Sequence, residues 1–287
     1  MSEREPSFRL SQREFSFICQ FAYDCAGIVL GDSKREMVYR RLTRVLRDRG
    51  LQSFGEYCQL LKADPSGEQD YFVNAITTNL TSFFREDHHF RYLLENEIPR
   101  LIELKRNSGK RLRIWSSASS TGEEPYSIAM TLYSGLQPHL SNWDAKILAT
   151  DVDSNVLEKA KNGVYEEGKI ESVPEGYKRD FFIRGKGTNQ NSVKVHPKIQ
   201  RLITFKRLNL LHEWPMKGPF DVIFCRNVII YFDKPTQQEL FERFYTLLEP
   251  NGLLILGHSE NLGSFQKYFE NVGRTMFRKP MLSRKCG

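Results

Sequence analysis

The sequence predicts an open, mostly parallel α/β sheet preceded by an all-α N-terminal segment. Three observations carry this. From Arg111 onward, short apolar runs alternate with helical patterns, the rhythm of a parallel sheet with helical crossovers. The stretch Arg113 to Met130, RIWSSASSTGEEPYSIAM, reads as a buried strand, a turn of small residues and a helix opening at Pro125. Residues 1 to about 75 carry apolar residues at helical spacing.

Composition sets the bounds. At 287 residues, 40% hydrophobic and 27% charged, the chain suits a soluble globular protein of one medium or two small domains. No apolar run approaches the roughly 20 residues of a membrane span. The start, MSEREPSFRL, lacks a signal peptide's apolar segment. Five scattered cysteines, without a C-x-x-C pair, predict reduced thiols in a cytosol, with neither a disulfide framework nor a zinc site. A net charge of +7 is compatible with nucleic acid, an acidic partner, or solubility alone.

The first helix runs within Phe8 to Gly27, with Ser11 and Glu14 as a capping box. Asp32 to Gly50 follows, with Met37, Val38, Leu42, Val45 and Leu46 on one face and Arg40, Arg44 and Arg47 on the opposite one. Between positions 34 and 49 there are seven Lys/Arg and two Asp/Glu, whereas over residues 1–80 the two counts are equal at 11. Such a run is ordinarily a solvated helix face; its functional reading is a docking stripe for an acidic helix or a phosphate backbone. Phe54 to Lys62 reads as a short helix, Asp64-Pro65-Ser66-Gly67 as a turn, and Tyr71 to Leu80 as helical.

Thr77 to Glu86, TTNLTSFFRE, is a linker with candidate chemistry. Asn79, Thr81 and Ser82 offer polar groups, Phe83 and Phe84 can anchor them, and Arg85 is a fixed positive fork; the plain alternative is a hinge. His88 and His89 fall in a helix from Asp87 to Leu104 and face different ways, so no shared metal is expected.

The sheet begins with Leu112 to Trp115. Ser116 to Gly122 carry almost no bulk, so a ligand can approach the backbone closely. Glu123 and Glu124 then stand where a phosphate would be disfavoured and a cation favoured. That points from a dinucleotide toward S-adenosylmethionine, which carries an ammonium and a sulfonium; the plain alternative is two acids at a helix N-terminus. Strand two, Lys146 to Thr150, ends at Asp151, placed to accept both ribose hydroxyls of an adenosine. Helix Ser154 to Lys161 follows, and residues 163–205 then break the rhythm with a hairpin or small antiparallel subdomain around a Gly/Asn-rich turn. The sheet resumes at Leu202 to Phe205; Asn209 and Leu210 follow it, a natural place for an adenine edge. Phe220 to Cys225 is strand four, running into Arg226, Asn227 and Tyr231 at the sheet's carboxyl end. Helix Lys234 to Leu248, strand Leu253 to Gly257 and a hairpin within Asn261 to Phe277 complete the chain.

TTNLTSFFRE, STGEEPYSIA, FCRNVIIYFD and GLLILGHSE, in that order, resemble the chemotaxis receptor methyltransferases, the CheR family, from about residue 10 to 278. The resemblance implies a Rossmann-like S-adenosylmethionine-dependent methyltransferase sheet with a small antiparallel β-subdomain, preceded by an all-α N-terminal domain. The boundaries expected are 1–76 for the helical domain, 77–90 for a linker contributing to the cofactor site, and 91–287 for the methyltransferase domain with its insert at about 165–205. It implies methyl transfer to glutamate side chains of methyl-accepting receptors, giving glutamate methyl esters and S-adenosylhomocysteine. Asn79, Thr81, Arg85, Glu123, Asp151, Asn209, Leu210, Arg226 and Asn227 are implied to line the cofactor, with Arg85 and Tyr231 near the transferred methyl. The β-subdomain is implied to be able to tether a receptor's C-terminal peptide, and the GKG turn near Lys186 looks like the tethering form.

The residues agree with this chemistry. A glutamate with a reference pKa of about 4.3 is already ionised near neutrality, so no general base, triad or metal is expected. Glu123 is assigned to the methionine amino group, Asp151 to the ribose, Asn209 or Leu210 to the adenine, and Arg85 and Tyr231 to orienting the carboxylate or the methionine moiety. Arg40, Arg44 and Arg47 would read acidic residues flanking the target glutamate. A cytoplasmic monomer without membrane insertion is expected. The competing reading is a nucleic-acid methyltransferase. Asn227 to Tyr231 echoes an N-P-P-Y turn, but Val228 and Ile229 replace the prolines and the arginine stripe has no interleaved aromatics for base stacking. A cofactor-binding module that has lost transfer is the third class, against which an intact Arg85 and Tyr231 argue.

Overall fold

The computed structural model describes residues 8–107, 109–137, 139 and 142–281. The chain divides into two units, one comprising the chain up to Thr78 with Tyr231–Thr236, the other Asn79–Ile230 with the chain from Gln237.

The first unit is helical. Helix α1 (Gln12–Ala26) opens on the expected capping box: Glu14 N–H donates to Ser11 Oγ at 3.3 Å, and Ser11 N–H donates to Glu14 Oε2 at 2.7 Å. Gly27, left-handed at φ 65°, closes it. Helix α2 (Arg35–Arg49) follows a 3₁₀ turn at Asp32–Lys34 and ends at Gly50. Val38, Leu42, Val45 and Leu46 are buried and Met37 is half-buried, while Arg40, Arg44 and Arg47 are exposed, as the spacing predicts. Helix α3 is Phe54–Ala63. The expected turn at 64–67 is instead the start of helix α4 (Pro65–Ile76), capped by Asp64 with Pro65 in its first turn. A proline there loses nothing, because its missing N–H had no helical partner. Arg41, which the stripe reading passed over, is half-buried, donates to the carbonyls of Ile76 and Thr77, and so caps α4. Phe15, Ile18, Leu42, Leu46, Phe54, Tyr57 and Phe72 are fully buried. The 231–236 segment is held by Val29 N–H donating to the Tyr231 carbonyl at 2.9 Å and Tyr23 Oη donating to Asp233 at 2.9 Å.

Among the described residues the second unit carries ten strands: β1 (Arg111–Ser116), β2 (Asp144–Asp151), β3 (Val164–Glu166), β4 (Phe182–Arg184), β5 (Ser192–Val195), β6 (Ile203–Arg207), β7 (Phe220–Cys225), β8 (Leu248–Leu256), β9 (Glu270–Gly273) and β10 (Met276–Arg278). Seven form one sheet in the order β6-β2-β1-β7-β8-β10-β9. The first five are parallel, and β10 and β9 extend it antiparallel. The chain builds outward from β1 through β2 to β6, then returns to β7 on the other side. The order therefore reverses at β1, and open α/β sheets bind ligands outside the strand ends at such a switch. β7 is buried along its whole length, as a central parallel strand covered on both faces must be. The remaining strands make the expected antiparallel subdomain, β3-β5-β4, with three strands rather than the two read from sequence.

Helix 87–104 is interrupted. α5 (His88–Tyr92) passes through a π turn at Leu93–Glu97 into α6 (Ile98–Lys105), and Pro99 explains why the regular ladder cannot run through. Buried Glu97 anchors the break with bonds from Arg100 at 2.6 Å and Arg278 at 2.6 Å.

Candidate functional site

The loop between β1 and helix α7 (Glu123–Leu136) is pinned on both sides. Ser117 N–H donates to Phe224 O at 2.9 Å on β7, and Ser119 N–H to Thr150 O at 2.8 Å on β2. Gly122 sits at φ 101° as the cap of α7; a Cβ there would lie 2.7 Å from Tyr165 Oη and 2.9 Å from Ala160 Cβ. The helix thus opens at Glu123, two residues before the expected Pro125, because only glycine makes the turn at 122.

Asp151 at the end of β2 is buried. Its Oδ2 accepts from Ser120 N–H at 2.8 Å and its Oδ1 from Asp153 N–H at 3.0 Å. Burial pushes its pKa up to about 6, against the lowering effect of these N–H bonds. Ser120 Oγ donates to the Asn79 carbonyl at 3.2 Å, and Asn79 Nδ2 to Asp153 Oδ2 at 2.9 Å. Asp153 caps helix α8 (Ser154–Asn162), its carboxylate accepting from the N–H groups of Asn155 and Val156. Linker, β1–α7 loop and second strand thus meet around one carboxylate.

Glu123 is buried and accepts from Thr121 Oγ1 at 2.6 Å. Arg85 Nη1 donates to Leu80 O at 2.9 Å. Its neighbours fix the linker: Phe83 is buried against Tyr165 and Phe182, and Phe84 N–H donates to Ser127 Oγ at 2.9 Å. Phe84 and Glu86 both adopt left-handed φ, 53° and 58°, a strain that surrounding contacts must hold. Thr81 is half-buried. Asn209 Oδ1 accepts from Leu211 N–H at 3.0 Å, and the buried Leu210 carbonyl accepts from Arg243 at 2.7 Å. Asn227 is left-handed at φ 57° with its amide 3.4 Å from Glu86 Oε1. Tyr231 belongs to the helical unit, not to this one.

Arg226 is buried, and its guanidinium is engaged within the protein. Nη1 donates to Glu124 at 2.8 Å; Nη2 donates to the Arg85 carbonyl and lies 3.4 Å from Glu86. Burial would raise the Glu86 pKa, but Arg226 and the His258 bond outweigh it and hold the carboxyl below its ordinary value. His89 is buried beside them; burial first, then Arg226, pushes its pKa down to about 3, so the ring is neutral. Among the described residues no cluster of three metal-ligating side chains occurs.

Sequence reasoning passed over three residues of this constellation. Glu86 and Glu260 lay inside quoted motifs without a role, and Glu124 was read only as part of an acidic pair. No local pattern marks them, because their partners lie far along the chain: Glu86 meets His258 and Arg226, Glu260 the N–H groups of 227–229, and Glu124 meets Arg226.

The loop holds the buried Glu123 carboxylate and a buried Ser119 hydroxyl without a hydrogen-bond partner, next to the Asp151 carboxylate that Ser120 binds. That donor and acceptor set fits the hydroxyls and the cationic amine of an adenosylated amino acid better than a phosphate.

A family model for the CheR methyltransferase all-alpha domain matches residues 13–77, and one for the CheR methyltransferase SAM binding domain matches residues 79–278. The chemotaxis protein methyltransferase of Escherichia coli K12 is 46% identical over 279 residues, 96% of this chain and 93% of that protein. Its counterpart in Salmonella typhimurium LT2 is 46% identical over 270 residues, 93% and 90% of the two chains. Chemotaxis protein methyltransferase 2 of Pseudomonas aeruginosa PAO1 is 45% identical over 276 residues, 94% of each chain.

Proposed function

This chain belongs to the CheR methyltransferase family, and from that premise we propose that it methylates glutamate side chains of methyl-accepting chemotaxis receptors, as a protein-glutamate O-methyltransferase. Its cofactor is S-adenosylmethionine, the ligand of the matched domain. When bound, this cofactor supplies a methyl group on a sulfonium, already activated for transfer to a nucleophile.

The constellation around Asp151 supports the reading most directly. A buried carboxylate at the end of β2 keeps lone pairs on both oxygens beyond the Ser120 and Asp153 N–H bonds, which suits the paired hydroxyls of a ribose. Glu123 takes the amino group, and Asn209 with Leu210 borders the adenine. Asn79 and Thr81 line the same pocket from the linker. Arg226 acts from behind, holding Glu124 and the Arg85 backbone, and Asn227 lies beside it. Arg85 orients the incoming carboxylate; Tyr231 is the second candidate, carried by its motif alone. The nucleophile needs no deprotonation, so the residues' work is alignment, which can contribute on the order of 7–11 kcal/mol. Arg40, Arg44 and Arg47 read acidic receptor residues, and the β3-β5-β4 sheet takes a receptor C-terminal peptide. The relatives give a nucleic-acid substrate no support.

The test is isotopic methyl transfer to receptor cytoplasmic domains, with RNA as control. Base-labile label on the receptor is expected. A base-stable product, or label on RNA alone, overturns the assignment. Titration of a receptor C-terminal peptide against the chain tests the tether separately.

A further inference from the structure

The proposed function gives no role to the turn that follows β8, Gly257 to Glu260. Yet Glu260 is 5% exposed and makes an unusual set of bonds. Its Oε1 accepts from Val228 N–H at 2.9 Å and Ile229 N–H at 2.8 Å; its Oε2 accepts from Asn227 N–H at 2.8 Å and Gly257 N–H at 2.7 Å. Each oxygen is filled by two backbone donors, and three of the four belong to the segment after β7. That segment begins with Asn227 in a left-handed conformation, which a non-glycine residue keeps only when something holds it. The other end of the turn grips the linker: His258 N–H donates to Glu86 Oε2 at 3.0 Å, and its Nδ1 lies 3.0 Å from Glu86 Oε1. Gly257 permits the approach, since a Cβ there would fall 2.6 Å from Asn227 Nδ2 and 2.9 Å from Asn227 N.

We propose that Glu260 is a positioning residue for methyl transfer: it fixes the Arg226–Ile229 segment, and with it the guanidinium that supports Glu124 and the Arg85 backbone. The inference rests on the cofactor assignments made above. A carboxylate is needed, not merely a polar side chain of that size. Only an ionised carboxyl is an acceptor at both oxygens. A glutamine would turn its NH₂ toward two backbone N–H groups, leaving buried donors opposed and unsatisfied. The segment would then relax from its left-handed start, and Arg226 would move with it.

Glu260→Gln and Glu260→Asp are compared with the wild-type full chain. S-adenosylhomocysteine binding is measured by calorimetry, and initial rates with a receptor cytoplasmic domain give separate KM values for cofactor and receptor. For Glu260→Gln the expected result is a rise of tenfold or more in both the S-adenosylhomocysteine Kd and the cofactor KM, at unchanged binding stoichiometry and receptor KM. Glu260→Asp keeps the charge and is expected to fall between the two; it decides the matter if the glutamine variant does not fold. A role confined to stability predicts fewer binding-competent molecules with wild-type Kd and cofactor KM, and that result overturns the proposal. Should the wild-type chain bind no S-adenosylhomocysteine, the cofactor reading falls first and this inference with it.

Discussion

Arg226 and Glu124 form a buried ion pair at 2.8 Å that ties the end of β7 to the start of α7. Ser116 Oγ donates to the other Glu124 oxygen at 2.8 Å, so the second acid of the GEEP stretch faces the protein, while the first, Glu123, bonds within the loop. The same guanidinium reaches Glu86 and stands over the Phe90 ring at 5.6 Å. One cation thus neutralises two carboxylates contributed by segments far apart in sequence.

Removing it should therefore cost more than one hydrogen bond. Arg226→Ala leaves Glu124 and Glu86 without their cation, and breaking a buried pair from one side costs about 3–5 kcal/mol. Denaturant unfolding of the variant is expected to show a loss of that order, with Glu124→Gln losing less. A change within about 0.5 kcal/mol would mean the network carries no stability.

In its proposed ribose-binding role, the Asp151 carboxyl should make cofactor affinity depend on pH. Its pKa in the folded chain, about 6, lies above the ordinary aspartate value of about 3.9. The protonated form is therefore favoured by folding: that stabilisation is complete below about pH 4 and is lost as pH rises through about 6. Ligand hydroxyls donating to Asp151 favour the ionised form instead. S-adenosylhomocysteine should thus bind more tightly as pH rises from 5 to 7, by about fivefold for one pKa unit of coupling. Asp151→Asn should bind weakly, with that dependence removed. Calorimetry across this range decides; an undiminished pH dependence in the variant would assign it elsewhere.

The arginines of α2 make a third case. Arg44 is largely exposed, with Asp48 as a loose partner at 3.9 Å, and such surface pairs contribute little to stability. Reversing Arg40, Arg44 and Arg47 together to Glu should leave S-adenosylhomocysteine affinity as it was and raise the receptor KM, increasingly so at low salt. Unchanged receptor methylation would reduce the stripe to a solvated helix face.

How far the sequence was legible follows from what each residue depends on. The capping box at Ser11 and Glu14, β7, and the acid at the end of β2 are local patterns, and the structure has them where the spacing places them. The turn expected at 64–67 failed because Asp-Pro-Ser-Gly suits a helix start as well as a turn, and only the following apolar residues, Phe72 and Val73, decide between them. Glu86 and Glu260 were opaque for another reason. Their partners lie 172 and 33 positions away, at His258 and Asn227, and no periodicity in either motif encodes that pairing. Arg226 stands out in its motif, but nothing local announces its bonding to Glu124.

Gly122 offers the most stringent check of the site's frame, because its requirement combines a backbone conformation with a packing one. At φ 101° an alanine is strained whatever the space, at a cost of about 1–3 kcal/mol. Its Cβ would also meet Tyr165 Oη at 2.7 Å and Ala160 Cβ at 2.9 Å, and overpacking of this kind adds about 1–3 kcal/mol. Tyr165 cannot simply swing away, since its hydroxyl donates to the Thr121 carbonyl at 2.7 Å, inside the same loop. The loop must therefore shift, and Ser120 N–H, which bonds Asp151, shifts with it. Gly122→Ala should lower both the unfolding midpoint and S-adenosylhomocysteine affinity. Adding Tyr165→Phe removes the hydroxyl but neither the Ala160 contact nor the backbone strain, so the double variant should recover only part of either loss. Full recovery of affinity in the double variant would show that the Tyr165 hydroxyl, not the left-handed turn, sets the loop.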